Sequence, residues 1–116
     1  MNYDKTTIAS ELALVTKHWT PRVIGRVNDQ YVKVAKLLGE FVWHTHENED
    51  EMFLVISGHL RIQLGDFFTV PRGVRHNPVA DEEVEIVLIE TVTTAHTGDV
   101  VVSATVPLEE QVAHRV

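Results

Sequence analysis

From Arg22 onward the chain is written in short runs of β-branched and aliphatic residues, each cut off by Gly, Pro, Asn or Asp. Such punctuation leaves no room for an ordinary helix and predicts strands. VIGRV and YVKVAKL flank Asn28-Asp29-Gln30, a polar turn between two β-branched runs, and so read as a hairpin. The apolar run 52–56 ends at Ser57-Gly58, and LRIQL then alternates with Leu60, Ile62 and Leu64 on one face. FFTV stops at Pro71-Arg72-Gly73, and VEIVLIETV and DVVVSATV follow as further strands. Helical pattern is confined to the ends: Ile8, Leu12 and Val15 fall near i, i+4, i+7 behind the N-cap candidate Thr7, and a last turn is expected near 108–114. The expectation is an all-β sandwich or barrel with a short N-terminal helix.

Composition narrows what such a barrel does. A chain of 116 residues without repeat or linker is expected to form one domain over 1–116. With no cysteine, disulfides, thiol nucleophiles and cysteine-held zinc are excluded. Ten basic against 17 acidic residues give a net charge of −7 and no basic stripe, which argues against nucleic acid as a partner. The uncharged apolar run 52–56 is far short of the ~20 residues of a membrane helix, and residues 1–10 lack the apolar core of a signal peptide. No membrane partner and a cytoplasmic location are therefore expected.

The histidines carry the chemistry. His44 and His46 sit two apart in FVWHTH, so in extended backbone both imidazoles point to one face. Glu51 opens the next strand after the turn Glu47-Asn48-Glu49-Asp50, and a short hairpin returns it beside them. His76 follows Pro71-Arg72-Gly73-Val74-Arg75. Taken singly these residues say little: an H-x-H pair is common, Glu51 lies among other acids, and His76 reads as a polar strand start. Together, three imidazoles and one carboxylate suit one divalent first-row metal, and four donors leave positions open on a six-coordinate ion.

The punctuation around these residues resembles the cupin superfamily. The first cupin motif is matched by Gly39, His44-Thr45-His46, Glu51 and Gly58, with the gap before His44 one residue shorter than the usual form. The second is matched by Gly65, Pro71, Gly73 and His76; where the motif ends in asparagine this chain has Ala80, which touches no ligand position. The motifs span 39–80, and Gly39 to His44, 68–74 and Thr97-Gly98-Asp99 add a likeness to short cupin 2 barrels labelled mannose-6-phosphate isomerase-like. That label follows fold and does not fix function. The resemblance implies a small jelly-roll β-barrel holding Fe, Mn, Ni or Zn through His44, His46, Glu51 and His76. Gly58 and Gly73 are expected at positive φ, with Pro71 fixing the approach to His76.

One stretch departs from the pattern. Only 59–64 separate Gly58 from Gly65, whereas two strands and a turn need roughly a dozen residues. Losing one strand from an antiparallel meander sends His76 to the wrong end of the barrel. Either Leu64-Gly65-Asp66-Phe67 makes a tight hairpin in a shortened barrel or, the preferred reading, about ten residues are missing between Leu64 and Gly65.

The leading functional expectation is a metal-dependent dioxygenase, isomerase or lyase acting on a small anionic or carbonyl-containing molecule. Three neutral imidazoles and one carboxylate leave a bound divalent ion a net charge near +1, which favours such ligands. The alternatives are a non-catalytic barrel that binds a sugar or small acid and a closed structural metal site. No separate acid or base is identifiable; Tyr31 and His59 are weak candidates, and His18, His96 and His114 are assigned no role. Arg72 and Arg75 are candidates for holding an anion or for plain surface pairs. Trp43 and Thr45 alternate against the ligands and are expected to face away from them. Both faces of the 51–57 run are apolar, which predicts burial between layers or in a homodimer.

Overall fold

The computed structural model describes residues 5–62, 69–100, 106–107 and 110–111. After a short helix, α1 (Ile8–Ala13), come six strands: β1 (Arg22–Val27), β2 (Gln30–Glu40), β3 (Glu51–Ser57), β4 (Arg61–Ile62), β5 (Thr69–Val70) and β6 (Pro78–Thr91). They form one antiparallel sheet in the order β1-β2-β6-β3-β5, with β4 also on β6. This is the expected jelly-roll barrel. The β1–β2 hairpin turns at Asn28, which takes φ 51 as a small polar residue in a tight turn can.

Two long strands organise the rest. β2 and β6 pair along almost their whole length, and both are buried on two faces. Inside the barrel Ala35 and Leu37 of β2 meet Phe53, Val70, Val84, Ile86 and Leu88. Outside, Val34 and Val87 are covered by Leu12 and Val15 of the helical segment. Thr7 caps α1 as anticipated, accepting from the Ser10 N–H in a reciprocal box. Ile8 remains 38% exposed and Val15 lies beyond the helix end, so the anticipated apolar face is narrower than its spacing suggests.

β3 and β4 both run antiparallel to β6, Glu51 opposite Glu90 and Arg61 opposite Val79. β5 runs antiparallel to β3, with Val70 opposite Glu51. The chain direction has therefore reversed between Ile62 and Thr69, and His76 reaches the same end of the barrel as His44 rather than the wrong one. Leu64 and Gly65, where residues were expected to be missing, lie outside the described residues, as do Gln63 and 66–68. Gly58 and Gly73 do take positive φ, 88° and 80°.

Two expectations need correction. Of the two alternatives for β3, burial between layers of the chain does not hold: Glu51 and Phe53 point in, while Met52, Leu54 and Ile56 are 40–45% exposed. Asp99 and Val100, expected to start a strand, lie instead in a turn closed by the Val100 N–H to the Thr97 carbonyl at 3.2 Å; 101–105 lie outside the described residues. Of the expected 108–114 turn only Glu110 and Gln111 are described, both helical. Among the described residues no helix is long and apolar enough to cross a membrane.

Candidate metal centre

His44 and His46 sit between β2 and β3 in extended but irregular backbone, anchored on neighbouring segments rather than by a full ladder. The His44 N–H donates to the His76 carbonyl (2.9 Å) and the His76 N–H returns to His44 (2.8 Å). The Gly73 N–H donates to the His46 carbonyl at 2.7 Å, and the Arg72 N–H to Asp50 at 2.8 Å, so the Pro71-Arg72-Gly73 turn is stitched to the H-x-H segment. From the other side Asp99 brackets Thr45, accepting its N–H at 2.8 Å and donating its own to the Thr45 carbonyl at 3.1 Å. Gly98, at φ 58, packs against that carbonyl and the His44 ring.

These anchors bring His44, His46, Glu51 and His76 together, one donor atom from each within 4.8 Å of the others, and all four side chains are buried. His44 Nδ1 lies 2.8 Å from the Val42 carbonyl and His76 Nδ1 2.9 Å from that of Val74. A carbonyl only accepts, so each Nδ1 carries the proton and each Nε2 turns a lone pair to the centre. His44 Nε2 has no hydrogen-bond partner, and His46 and His76 Nε2 stand 3.3 Å from the two Glu51 oxygens. A buried imidazole nitrogen with no partner costs of the order of 1–3 kcal/mol. Three convergent nitrogens and a carboxylate fit a divalent ion, which would satisfy them all.

Electrostatics favour that donor set at His44 and at Glu51. Burial pushes His44 down to about 4, leaving it neutral as a ligand must be. Burial opposes charge on Glu51, but the hydrogen bonds from His46 and His76 outweigh it and hold this carboxyl below the ordinary range. His76 is likewise penalised by burial but raised on balance by Glu51, which favours a second proton on Nε2 shared with that carboxylate; an ion bound there would displace it.

Residues 31–93 match the family model Cupin_2, a cupin domain. The chain belongs to the cupin family. It is 40% identical to a cupin-2 domain protein of Shewanella frigidimarina, covering 74% of this chain and 93% of that one at a TM-score of 0.69. Protein NMB1881 of Neisseria meningitidis is 28% identical with a TM-score of 0.65, over 76% of this chain and 99% of its own. Uncharacterized protein YdbB of Bacillus subtilis is 36% identical over 63 residues, 46% of this chain, and the chain spans 56% of YdbB's length.

Several residues of this cupin escaped the sequence reading. Lys33 and Glu90 form a fully buried ion pair at 2.7 Å inside the barrel, where Lys33 also donates to Gln111 (2.6 Å). Glu90 stands opposite Glu51 on the ladder; burial, and then the Glu51 charge, raise its pKa well above the usual carboxylate range. The signal was available: Lys33, Ala35 and Leu37 share the inner face of β2, and Val84, Ile86, Leu88 and Glu90 that of β6. A charge at an interior position requires a partner. His96, given no role, is buried, held neutral at about 4 by burial, and accepts the Val106 N–H at 2.6 Å.

A narrow cavity of about 30 Å³ leads to His44 and Glu51 between Trp19, Pro21, Phe41, Pro78 and His96. Trp19, not Trp43, is the tryptophan at the site. Trp43 faces outward under the Arg75 guanidinium, 5.1 Å from the ring centre. Arg72 and His59 are exposed, Tyr31 is half-buried opposite Glu90 with the Arg26 and Lys33 cations near its ring, and His18 pairs with Glu83 at the surface. His114 lies outside the described residues.

Proposed function

We propose that this cupin holds one divalent transition metal through His44, His46, Glu51 and His76 and uses the open coordination positions to bind a small carbonyl-containing molecule. The observation that carries this reading is the buried, inward-turned Nε2 set, with outer Nδ1 atoms tied to backbone carbonyls that only a protonated Nδ1 can satisfy. When bound, the ion supplies Lewis-acid polarisation of a carbonyl or, if iron, dioxygen chemistry. The chain's own residues orient the ligands and exclude water: Val42 and Val74 fix two imidazoles, Asp99 fixes the backbone between His44 and His46, and the apolar barrel wall encloses the approach. Dioxygenase, isomerase and lyase reactions all use such a site. A non-catalytic binding barrel is the second reading. It is favoured by the lining described for the cavity, whose ionisable side chains are His44, Glu51 and His96, the last with its Nε2 already occupied. The exposed stripe Met52, Leu54 and Ile56 on β3 supports a homodimer.

The test is elemental analysis of protein purified without added metal or a histidine tag, beside H76A. Near one equivalent of Fe, Mn, Ni or Zn, lost in H76A while the fold is kept, is expected. Wild-type protein that stays metal-free after incubation with each of these ions contradicts the reading.

A further inference from the structure

The narrow passage to His44 and Glu51 is not the roomiest space beside the four donors. His46 borders a separate, open depression of about 200 Å³, walled by the loops that follow β2 and β6. A single water needs about 10–15 Å³ of such space. The depression therefore admits a small organic molecule, which the passage of about 30 Å³ does not.

The charges around it are of one sign. Glu47, Glu49 and Asp99 line the depression and no lysine or arginine does. None of the three carboxylates forms an ion pair among the described residues. Glu49 accepts the Thr93 hydroxyl at 3.1 Å and Asp99 the Thr45 N–H at 2.8 Å, while Glu47 makes no hydrogen bond among the described residues. Arg75, whose charge acts on Asp99 through space, lies outside the depression over Trp43. Like charges with no counter-ion repel one another and attract a cation.

His46 adds a donor with nothing to receive it. It is 4% exposed and turns Nε2 inward towards Glu51. The outer nitrogens of His44 and His76 are tied to carbonyls, whereas His46 Nδ1 makes no hydrogen bond among the described residues. Nε2 is sealed off and Nδ1 is not, which leaves Nδ1 on the side of the depression. With Nε2 on a metal, Nδ1 carries the proton and requires an acceptor.

We propose that this depression binds a small amine-bearing molecule, its ammonium group among Glu47, Glu49 and Asp99 and a neighbouring hydroxyl or carbonyl oxygen on His46 Nδ1–H. The oxygen contact rests on the metal reading above, which fixes the His46 proton; the ammonium contact rests on the three carboxylates alone.

The test is an NMR titration of zinc-loaded protein with ethanolamine, ethylamine and ethylene glycol, followed at the amides of Glu47, Thr93 and Gly98 and at the His46 ring. Ethanolamine is expected to bind about tenfold or more tightly than ethylene glycol, as several exposed ion pairs acting together give, and to weaken at high salt. It is also expected to bind more tightly than ethylamine, which lacks the oxygen. In E47Q/E49Q the preference for ethanolamine over ethylene glycol falls towards one while zinc stays bound; thermal unfolding confirms that the variant folds. Equal affinities for ethanolamine and ethylene glycol, or a preference that survives in E47Q/E49Q, overturn the proposal and leave the metal reading standing. Ethylamine binding as tightly as ethanolamine removes the His46 contact and overturns it too. If zinc does not bind but ethanolamine is still preferred over ethylene glycol and loses that preference in E47Q/E49Q, the metal reading fails and the amine site stands.

Discussion

Replacing Gly98 by alanine tests how the metal-ligand segment is held. An alanine at φ 58 pays the left-handed penalty, roughly 1–2 kcal/mol. Its Cβ would also fall on the Thr45 carbonyl oxygen and 2.9 Å from His44 Cδ2, neither of which is a flexible side-chain end. The 97–99 turn must back away, weakening the two Asp99–Thr45 hydrogen bonds. Overpacking of this kind costs about 1–3 kcal/mol on top of the backbone penalty. Gly73 is the internal control, because it sits at φ 80 with nothing within 4 Å of a built Cβ, so G73A pays the backbone penalty alone. Urea unfolding of metal-free protein should therefore place G98A about 2 kcal/mol below G73A. Equal losses in the two variants would refute the claim that Gly98 is a packing wedge behind His44.

Three further outcomes follow from the buried charges and the cap. K33M strands Glu90 beside Glu51 and should cost about 3 kcal/mol, the low end for a broken buried pair because Glu90 can keep a proton; K33M/E90L should recover part of it, and a K33M protein as stable as wild type by urea unfolding contradicts the pairing. Burial holds His44 and His96 neutral down to about 4, whereas the unfolded chain protonates its histidines near 6.5. At these two sites the folded form binds fewer protons in that window, so the urea midpoint of metal-free protein should fall as pH drops from about 6.5 to 4, with His76 and Glu90, both raised in the fold, opposing in part. A midpoint that rises on acidification would reverse this assignment. T7A removes the box that starts α1 and should cost about 1 kcal/mol by the same assay; no change would mean that packing of Leu12 alone holds the segment.

The cluster of four was legible because each member obeys a local rule: His44 and His46 by period two, Glu51 by opening a strand, His76 by its distance from Pro71 and Gly73. The β1–β2 hairpin and the Thr7 cap were legible for the same reason. What escaped depends on pairings remote in sequence. Lys33 and Glu90 meet only because β2 lies against β6, and single-strand parity marks each as inward without naming its partner. Trp19 reaches the cavity through an unfavourable backbone angle that propensity argues against, whereas Trp43, beside the histidines in sequence, alternates away from them. The reversal that rescues His76 likewise rests on β3 and β5 pairing, which the shortened interval between Gly58 and Gly65 concealed.

Titration of metal-free protein with Co(II), followed by visible absorption, tests the central claim most directly. The account predicts saturation at one equivalent with a histidine-ligated spectrum, lost in H44A and in E51Q, and a further spectral change when acetohydroxamate enters an open position. Absence of saturable absorption in the folded wild-type protein, or saturation unaffected by H44A and E51Q, would contradict it.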